Sequence, residues 1–359
     1  MKTKTLLLFL TLWSCTLCAQ TQFFKSNIAF TEKHLSGFFS SVTVNAGTVY
    51  FVANDYAMYS FDKSTGKQNW KSETSSKTSR KPFIMGDTLI AGFYDFKTES
   101  TKAVLISTKT GDTLKTLPFE PPHTLPYFKN GILYCTTIYN AGQLIAYDIK
   151  KDTVVWARFV AHGVDTQPVY LKDKIIANAE DTNWFEMDYN NKLLGKCNNP
   201  APFVEDITCI ENYRMLTHDG KKLDAAFFEK YFSDEYAARK TYFTGNNTFI
   251  MNYKTLLVVE KKAKVKHNVN IDDIIYNLTD AEGQSIEIKF SEYYDILKAD
   301  DTSVWLISNN ILVVLNIKTG KATKTYNITQ WAPHQAVLDG TNLWLINSID
   351  GQLYGLKLD

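Results

Sequence analysis

The chain has 359 residues, of which 45% are hydrophobic, 14% aromatic and 21% charged. That is enough apolar material to bury a core, and it excludes general disorder, the state of chains with low hydrophobicity and high net charge. Thirty-nine Lys and Arg stand against 38 Asp and Glu, for a net charge of +1; a phosphate backbone needs a concentrated positive face, so nothing in the balance argues for nucleic acid.

The first predicted element is a leader. Met1-Lys2-Thr3-Lys4, the apolar run Thr5 to Leu12, then Trp13, Ser14 and small residues to Ala19 follow the three-part layout of a secretory signal peptide. We expect a signal peptide over residues 1–19 and a mature chain over 20–359, although Leu17 is larger than the residue usual three positions before a cleavage site. Losing Lys2 and Lys4 leaves 37 basic against 38 acidic residues, a net charge of −1. The expected compartment is therefore outside the cytoplasm, periplasmic or extracellular. Cys15, preceded by Leu12-Trp13-Ser14, is a weak match to a bacterial lipoprotein box, and the bulky Trp13 counts against lipidation there. No later segment holds 18 or more uncharged apolar residues, so no membrane span is expected. Beyond Cys15 and Cys18 the chain carries Cys135, Cys197 and Cys209, too few for a disulfide framework. Cys197 and Cys209 can be read as a pair across one loop, or all three as separate buried thiols.

The rest of the chain repeats. Met58-Tyr59-Ser60-Phe61-Asp62-Lys63-Ser64-Thr65-Gly66-Lys67-Gln68-Asn69-Trp70 recurs as Leu144 to Trp156, with Asp148 and Trp156 at the same spacing of eight. Val104 to Asp112, containing Gly111, is a third copy, and Leu312 to Lys321, containing Asn316 and Gly320, a fourth. Weaker copies surround Asp188, Glu260 and Lys357. Anchored on the Asp62 position the series runs 62, 107, 148, 188, 260, 316 and 357, at intervals of 45, 41, 40, 72, 56 and 41. Four intervals near 40 to 45 match the period of β-propeller blades. In the motif an alternating strand ends in an Asp whose carboxylate can accept bonds from the following turn. Thr65-Gly66 closes that turn, Gly66, Gly111 and Gly320 supplying positive φ without a Cβ clash. Trp70 and Trp156 then sit on the next strand, where a large flat ring can fill the wedge between blades.

Upstream of each anchor lies another predicted strand: Thr48 to Ala53, Thr88 to Phe93, Ile132 to Thr136, Lys174 to Ala179, Thr248 to Tyr253, Ser303 to Ser308 and Asn342 to Asn347. Most follow a turn signal such as Ala46-Gly47 or Asn130-Gly131, with a short strand before it. The expected fold is all-β: a propeller of seven four-stranded antiparallel blades, strands A to D from the inside out. The seventh copy stops at Asp359 without a D strand, and Phe23 to Phe30 is an apolar-rich segment without a blade, so the N-terminus is expected to close the ring. Eight blades would require splitting the 72-residue interval, which instead contains a stretch that reads as helix.

The pattern Asp-x-x-Thr-Gly-x-x-x-Trp at Asp62 to Trp70 resembles the repeat of the PQQ-like, quinoprotein-type β-propellers, with copies of falling quality over residues 36 to 359. Ser107, Glu260 and Lys357 replace the Asp, and Lys115, Lys196 and Lys324 replace the Trp, which predicts less regular docking between blades. The resemblance implies architecture more than activity, since the superfamily holds both quinone-dependent dehydrogenases and cofactor-free propellers, including the propeller lipoprotein of the outer-membrane barrel-assembly machinery. A dehydrogenase of that kind implies a funnel-bound quinone, a metal held by carboxylate and amide oxygens and, in alcohol dehydrogenases, adjacent cysteines. The mature chain has no adjacent cysteines, and Trp70, Trp156, Trp305 and Trp344 fall at packing positions of the blades. No catalytic, cofactor-binding or metal-binding residue is therefore expected, and no cofactor.

The remaining chemistry is sparse. The six histidines, at 34, 123, 162, 218, 267 and 334, show no HxH or HExxH spacing and read as loop or strand-surface residues. The pairs Asp272-Asp273 and Asp300-Asp301 read as solvated turns. One long segment escapes the repeat: from the N-cap Asp224 to about residue 240, an amphipathic helix places Phe228, Phe232 and Tyr236 on an i, i+4 stripe. The stripe either braces the propeller or presents an aromatic surface to a partner. The functional expectation is a monomeric, non-catalytic, exported propeller that binds a protein or glycan of the cell envelope, with an enzyme using the funnel as the alternative.

Overall fold

The computed structural model describes residues 20–31, 40–73, 80–95, 97–180, 183–194, 211–212, 215–232, 240–252, 254–271, 275–279, 285–289, 294–308 and 310–359. The expected leader, Cys15, Cys18, Cys197, Cys209, Lys196, Tyr236 and the pair Asp272-Asp273 lie outside them.

Seven four-stranded antiparallel sheets follow one another along the chain. Blade 1 comprises Ser41–Val44, Thr48–Val52, Met58–Asp62 and Gln68–Ser72 as strands A to D. Blades 2 to 6 repeat the plan, from Phe83–Met85 to Thr113–Thr116, Tyr127–Lys129 to Thr153–Phe159, Val169–Tyr170 to Glu211–Asn212, Lys240–Phe243 to Lys264–Asn270, and Tyr294–Ala299 to Ala322–Asn327. Blade 7 takes strands A to C from Pro333–Asp339, Asn342–Asn347 and Leu353–Leu358, and its D strand from the N-terminus. The A strands of blades 5, 6, 7 and 1 approach one another and line the axis. In an up-and-down blade the A–B and C–D turns share one end, so the D–A connections and B–C turns form the opposite mouth.

The core is divided into layers between neighbouring blades. Tyr50, Val52, Met58 and Trp70 of blade 1 pack on Leu89, Ala91, Val104 and Ile106 of blade 2. Phe249, Met251, Leu256 and Val258 of blade 5 meet Val304, Leu306, Ile311 and Val313 of blade 6 in the same way. Both faces of these strands are therefore buried, as the continuous apolar runs at 311–315 and 255–259 require.

The closing strand is Gln20–Lys25, three residues earlier at its start than the expected Phe23 to Phe30. It pairs antiparallel with Leu353–Leu358 from Gln20 opposite Leu358 to Lys25 opposite Tyr354, with a bulge between Gln22 and Phe24. Side chains end the ladder. Ser26 Oγ donates to Gln352 Oε1 (2.7 Å), and Gln352 brackets Ile28 by accepting from its N–H (3.0 Å) and donating to its carbonyl (2.8 Å). Ser26 also exchanges bonds with Leu353, its N–H donating to the Leu353 carbonyl and its Oγ accepting from the Leu353 N–H, both at 2.9 Å.

The two long intervals hold insertions. Between blades 4 and 5 lie the hairpin Met215–Leu216 with Lys222–Leu223 and a helix, α1, over Ala225–Tyr231. Between blades 5 and 6 lies a second hairpin, Ile275–Thr279 with Ser285–Lys289, which the repeat analysis left unassigned. An eighth blade is thereby excluded.

Candidate functional site

The repeat residues act as predicted in the turns. Asp62 Oδ1 accepts from the backbone N–H of Ser64 (3.0 Å) and Thr65 (2.8 Å) and from both hydroxyls. Those bonds hold its carboxyl down at about 2. Asp148 Oδ1 takes the N–H of Lys150 and Lys151, Asn316 Oδ1 that of Lys318 and Thr319, and Ser107 Oγ that of Lys109 and Thr110. At Ser107 and Asn316 the substituted anchor therefore keeps an acceptor oxygen. Four residues on, Gly66, Gly111 and Gly320 are left-handed, and Asp152 takes that conformation (φ 57°) where blade 3 lacks glycine.

Docking between blades is more regular than the sequence predicts. Trp70 Nε1 donates to the carbonyl of Thr108, and Trp156 Nε1 to that of Tyr189, both at 3.0 Å. Each acceptor is the residue after the anchor of the next blade. Lys115, in the Trp position of blade 2, donates from Nζ to the equivalent carbonyl of Ile149 (3.1 Å) and adds an ion pair with Asp152 (3.0 Å). Lys324 reaches the carbonyl of Asp359 (2.6 Å). An ammonium thus replaces the indole donor, which the sequence comparison treats as a loss. The missed member is Phe24: it stands opposite Gly355 just as Trp70 stands opposite Ser60, both after a bulge. Its ring lies over Gly66, as Trp70 lies over Gly111. The N-terminal strand therefore supplies the docking side chain as well as the missing hydrogen bonds.

Phe228 and Phe232 of the expected stripe face inward. Asp224 caps α1 by accepting from the N–H of Phe227 (2.9 Å). Phe228 and Phe232 are 2% and 4% exposed, packed with Leu223, Ile250, Leu257 and Val259 of the insertion and blade 5. At these two positions the expectation of a partner surface is corrected: Phe228 on the seven-residue helix and Phe232, its extended C-cap, both bury their rings against blade 5.

Two polar features occupy the mouth formed by the D–A connections. At the entries of blades 2, 3 and 4, His123 Nδ1 lies 2.7 Å from Asp165 Oδ1, and Arg80 lies 3.9 Å from the same oxygen. The His123 side chain is buried rather than on the surface as expected, and that burial lowers its pKa against the pull of Asp165. Across the lumen, a cavity of about 640 Å³ is bounded by the A strands of blades 5, 6 and 7, the B–C turn of blade 6, and Lys81 from the entry of blade 2. Lys240 Nζ donates to Asp295 Oδ1 there at 2.6 Å. Among the described residues no group of three or more His, Cys, Asp or Glu side chains is placed to hold a metal ion. Of the acidic pairs, Asp300 caps its own turn through Thr302 and Ser303, and Asp301 accepts from Asn247 (2.9 Å). Cys135 is a buried free thiol whose pKa burial raises.

These features define a seven-bladed β-propeller. Residues 27–123, spanning blades 1 and 2, match the family model described as outer membrane protein assembly factor BamB. Among solved structures the chain is similar to BamB from Moraxella catarrhalis, at 12% identity and a TM-score of 0.53, covering 94% of this chain and 98% of that one. It is also similar to the computationally designed Ika8 protein (12% identity, TM-score 0.51, 90% and 98% covered). The C-terminal WD40 domain of Sif2 aligns at 9% identity and a TM-score of 0.54, covering 96% and 99%. At these identities the likenesses establish the fold. No curated protein matches the chain in sequence.

Proposed function

We propose that the chain is an exported, envelope-associated, non-catalytic propeller that binds a protein partner. The observation that carries this reading is the match of blades 1 and 2 to the model of an outer membrane protein assembly factor. It is supported by the full-length similarity to a BamB structure and by the charged, apolar-run-containing leader. The blades supply a rigid ring in which side chains at either mouth are held by interblade bonds, an arrangement suited to presenting loops without a conformational cost on binding.

The test is photo-crosslinking in native cells, with a photoreactive residue placed singly at Leu125 or Ile349, exposed at the D–A mouth, and at Leu114 or Val155 on the outer strands. A scaffold gives a reproducible crosslink to one envelope protein from one of these surfaces. No crosslink from any position, together with retention of the chain in the cytoplasmic fraction, overturns the reading.

A further inference from the structure

The lumen cavity has a divided wall. Its charged groups are Lys81, Lys240 and Asp295, while Ile296, Ile307 and Val337 give it an apolar side. Its volume of about 640 Å³ suits a small organic molecule. Lys240 is committed to Asp295, at 2.6 Å. Lys81 lines the same space from the entry of blade 2 with its side chain exposed, and among the described residues Asp295 is the acidic group acting on its charge. The neighbouring protein lowers the Lys81 pKa, against the opposing pull of Asp295. Of the other titratable side chains of the lining, His334 is held toward its neutral form by burial, and burial raises the pKa of Tyr294, keeping it neutral as well. Two ammonium groups against one carboxylate leave the described lining with a charge of +1.

We infer that this cavity binds a small organic monocarboxylate with an apolar body, the carboxylate paired with Lys81 and the body lying against Ile296, Ile307 and Val337. A single negative charge neutralises the lining, whereas a dianion would be repelled by Asp295. A neutral apolar molecule would leave the excess positive charge of the lining unmatched. The inference concerns the lumen and is independent of any partner at the rim.

The probes are hexanoate and phenylacetate, with hexan-1-ol and hexyl phosphate as controls, followed by saturation-transfer NMR and thermal shift on the mature chain. At least one carboxylate should saturate, while hexan-1-ol and hexyl phosphate bind about tenfold more weakly or not at all. Lys81→Gln should weaken carboxylate binding about tenfold with an unchanged melting temperature, and Lys81→Arg should retain it. Asp295→Asn removes the opposing charge, so it should tighten carboxylate binding and admit hexyl phosphate. Failure of both carboxylates to saturate overturns the inference. So does binding that persists undiminished in Lys81→Gln, or binding of hexan-1-ol equal to that of hexanoate.

Discussion

At the scale of single residues, the joints between blades are pairs in which one member is explained by the other. A Cβ on Gly111 would stand 2.6 Å from the Trp70 ring, so glycine there is required both by its φ of 77° and by the indole above it. Trp70→Ala should cost about 3–5 kcal/mol, the range for a buried aromatic. Gly111→Ala should cost roughly 1–3 kcal/mol for its backbone conformation and the clash. In the double mutant the clash is gone, so denaturant unfolding should show a total smaller than the sum of the two, by about 1 kcal/mol or more; strict additivity would separate the two residues. Asp62 makes a prediction about pH. Its folded value of about 2 lies below its ordinary 3.8, so its contribution to stability is present above 3.8 and is lost as pH falls through 2. Asp62→Asn keeps an acceptor, as Asn316 does in blade 6. The melting-temperature difference between the native chain and this variant should therefore shrink as pH is lowered from 6 to 2, and a difference that stays constant would contradict the assignment.

Single elements decide whether the ring is closed and how its insertion is used. The strand Gln20–Lys25 covers the edge of Leu353–Leu358 and carries Phe24 onto blade 1. A chain beginning at residue 27 should expose that edge, melt at a lower temperature and aggregate, as seen by light scattering; an unchanged melt would refute the closure. For α1, Phe228→Ala opens a cavity between the helix and blade 5 and should cost about 3 kcal/mol in thermal or denaturant unfolding. Because the side chain is buried, its truncation at a temperature well below the melt should leave partner crosslinking unaltered. Sequence alone does locate this helix and its cap, Asp224, from the i, i+4 spacing. Whether its aromatic face meets blade 5 or a partner cannot be read from spacing, since both uses demand the same amphipathic pattern.

At the scale of the whole molecule, the two ends of the described residues are neighbours in one sheet, Gln20 standing opposite Leu358. A short linker from Asp359 to Gln20 turns blade 7 into an ordinary blade with its own C–D connection. New termini opened within Ser64–Lys67 then leave blade 1 shared between the two ends of the chain, with strands A to C from one end and D from the other. That permutant should unfold in one transition near the native temperature. New termini between Glu120 and Pro121 instead divide the ring between whole blades, with no strand crossing the seam, and should give a clearly lower melt by calorimetry. Equal melts for the two permutants would show that the shared blade adds nothing to stability.

The local chemistry of this protein is written in its sequence. The anchor position, its acceptor oxygen, the left-handed residue four places on and the following ring are contiguous, so a period of 40 to 45 residues reveals blades, turns and the closing role of the N-terminus. Seven blades follow from counting those units, because each buries its two faces only on its neighbours. What the tertiary structure decided is whatever depends on partners distant in the chain. The equivalence of Phe24 with Trp70 needs the register of a strand pairing more than 300 residues apart. The reuse of Lys115 and Lys324 as donors needs the carbonyl of the next blade at 3.1 and 2.6 Å. The burial of His123 joins entry loops of the neighbouring blades 2, 3 and 4, and the charged lumen bounded by Lys81, Lys240 and Asp295 joins blade 2 to blades 5 and 6 across the ring; electrostatic character of that kind arises only on closure.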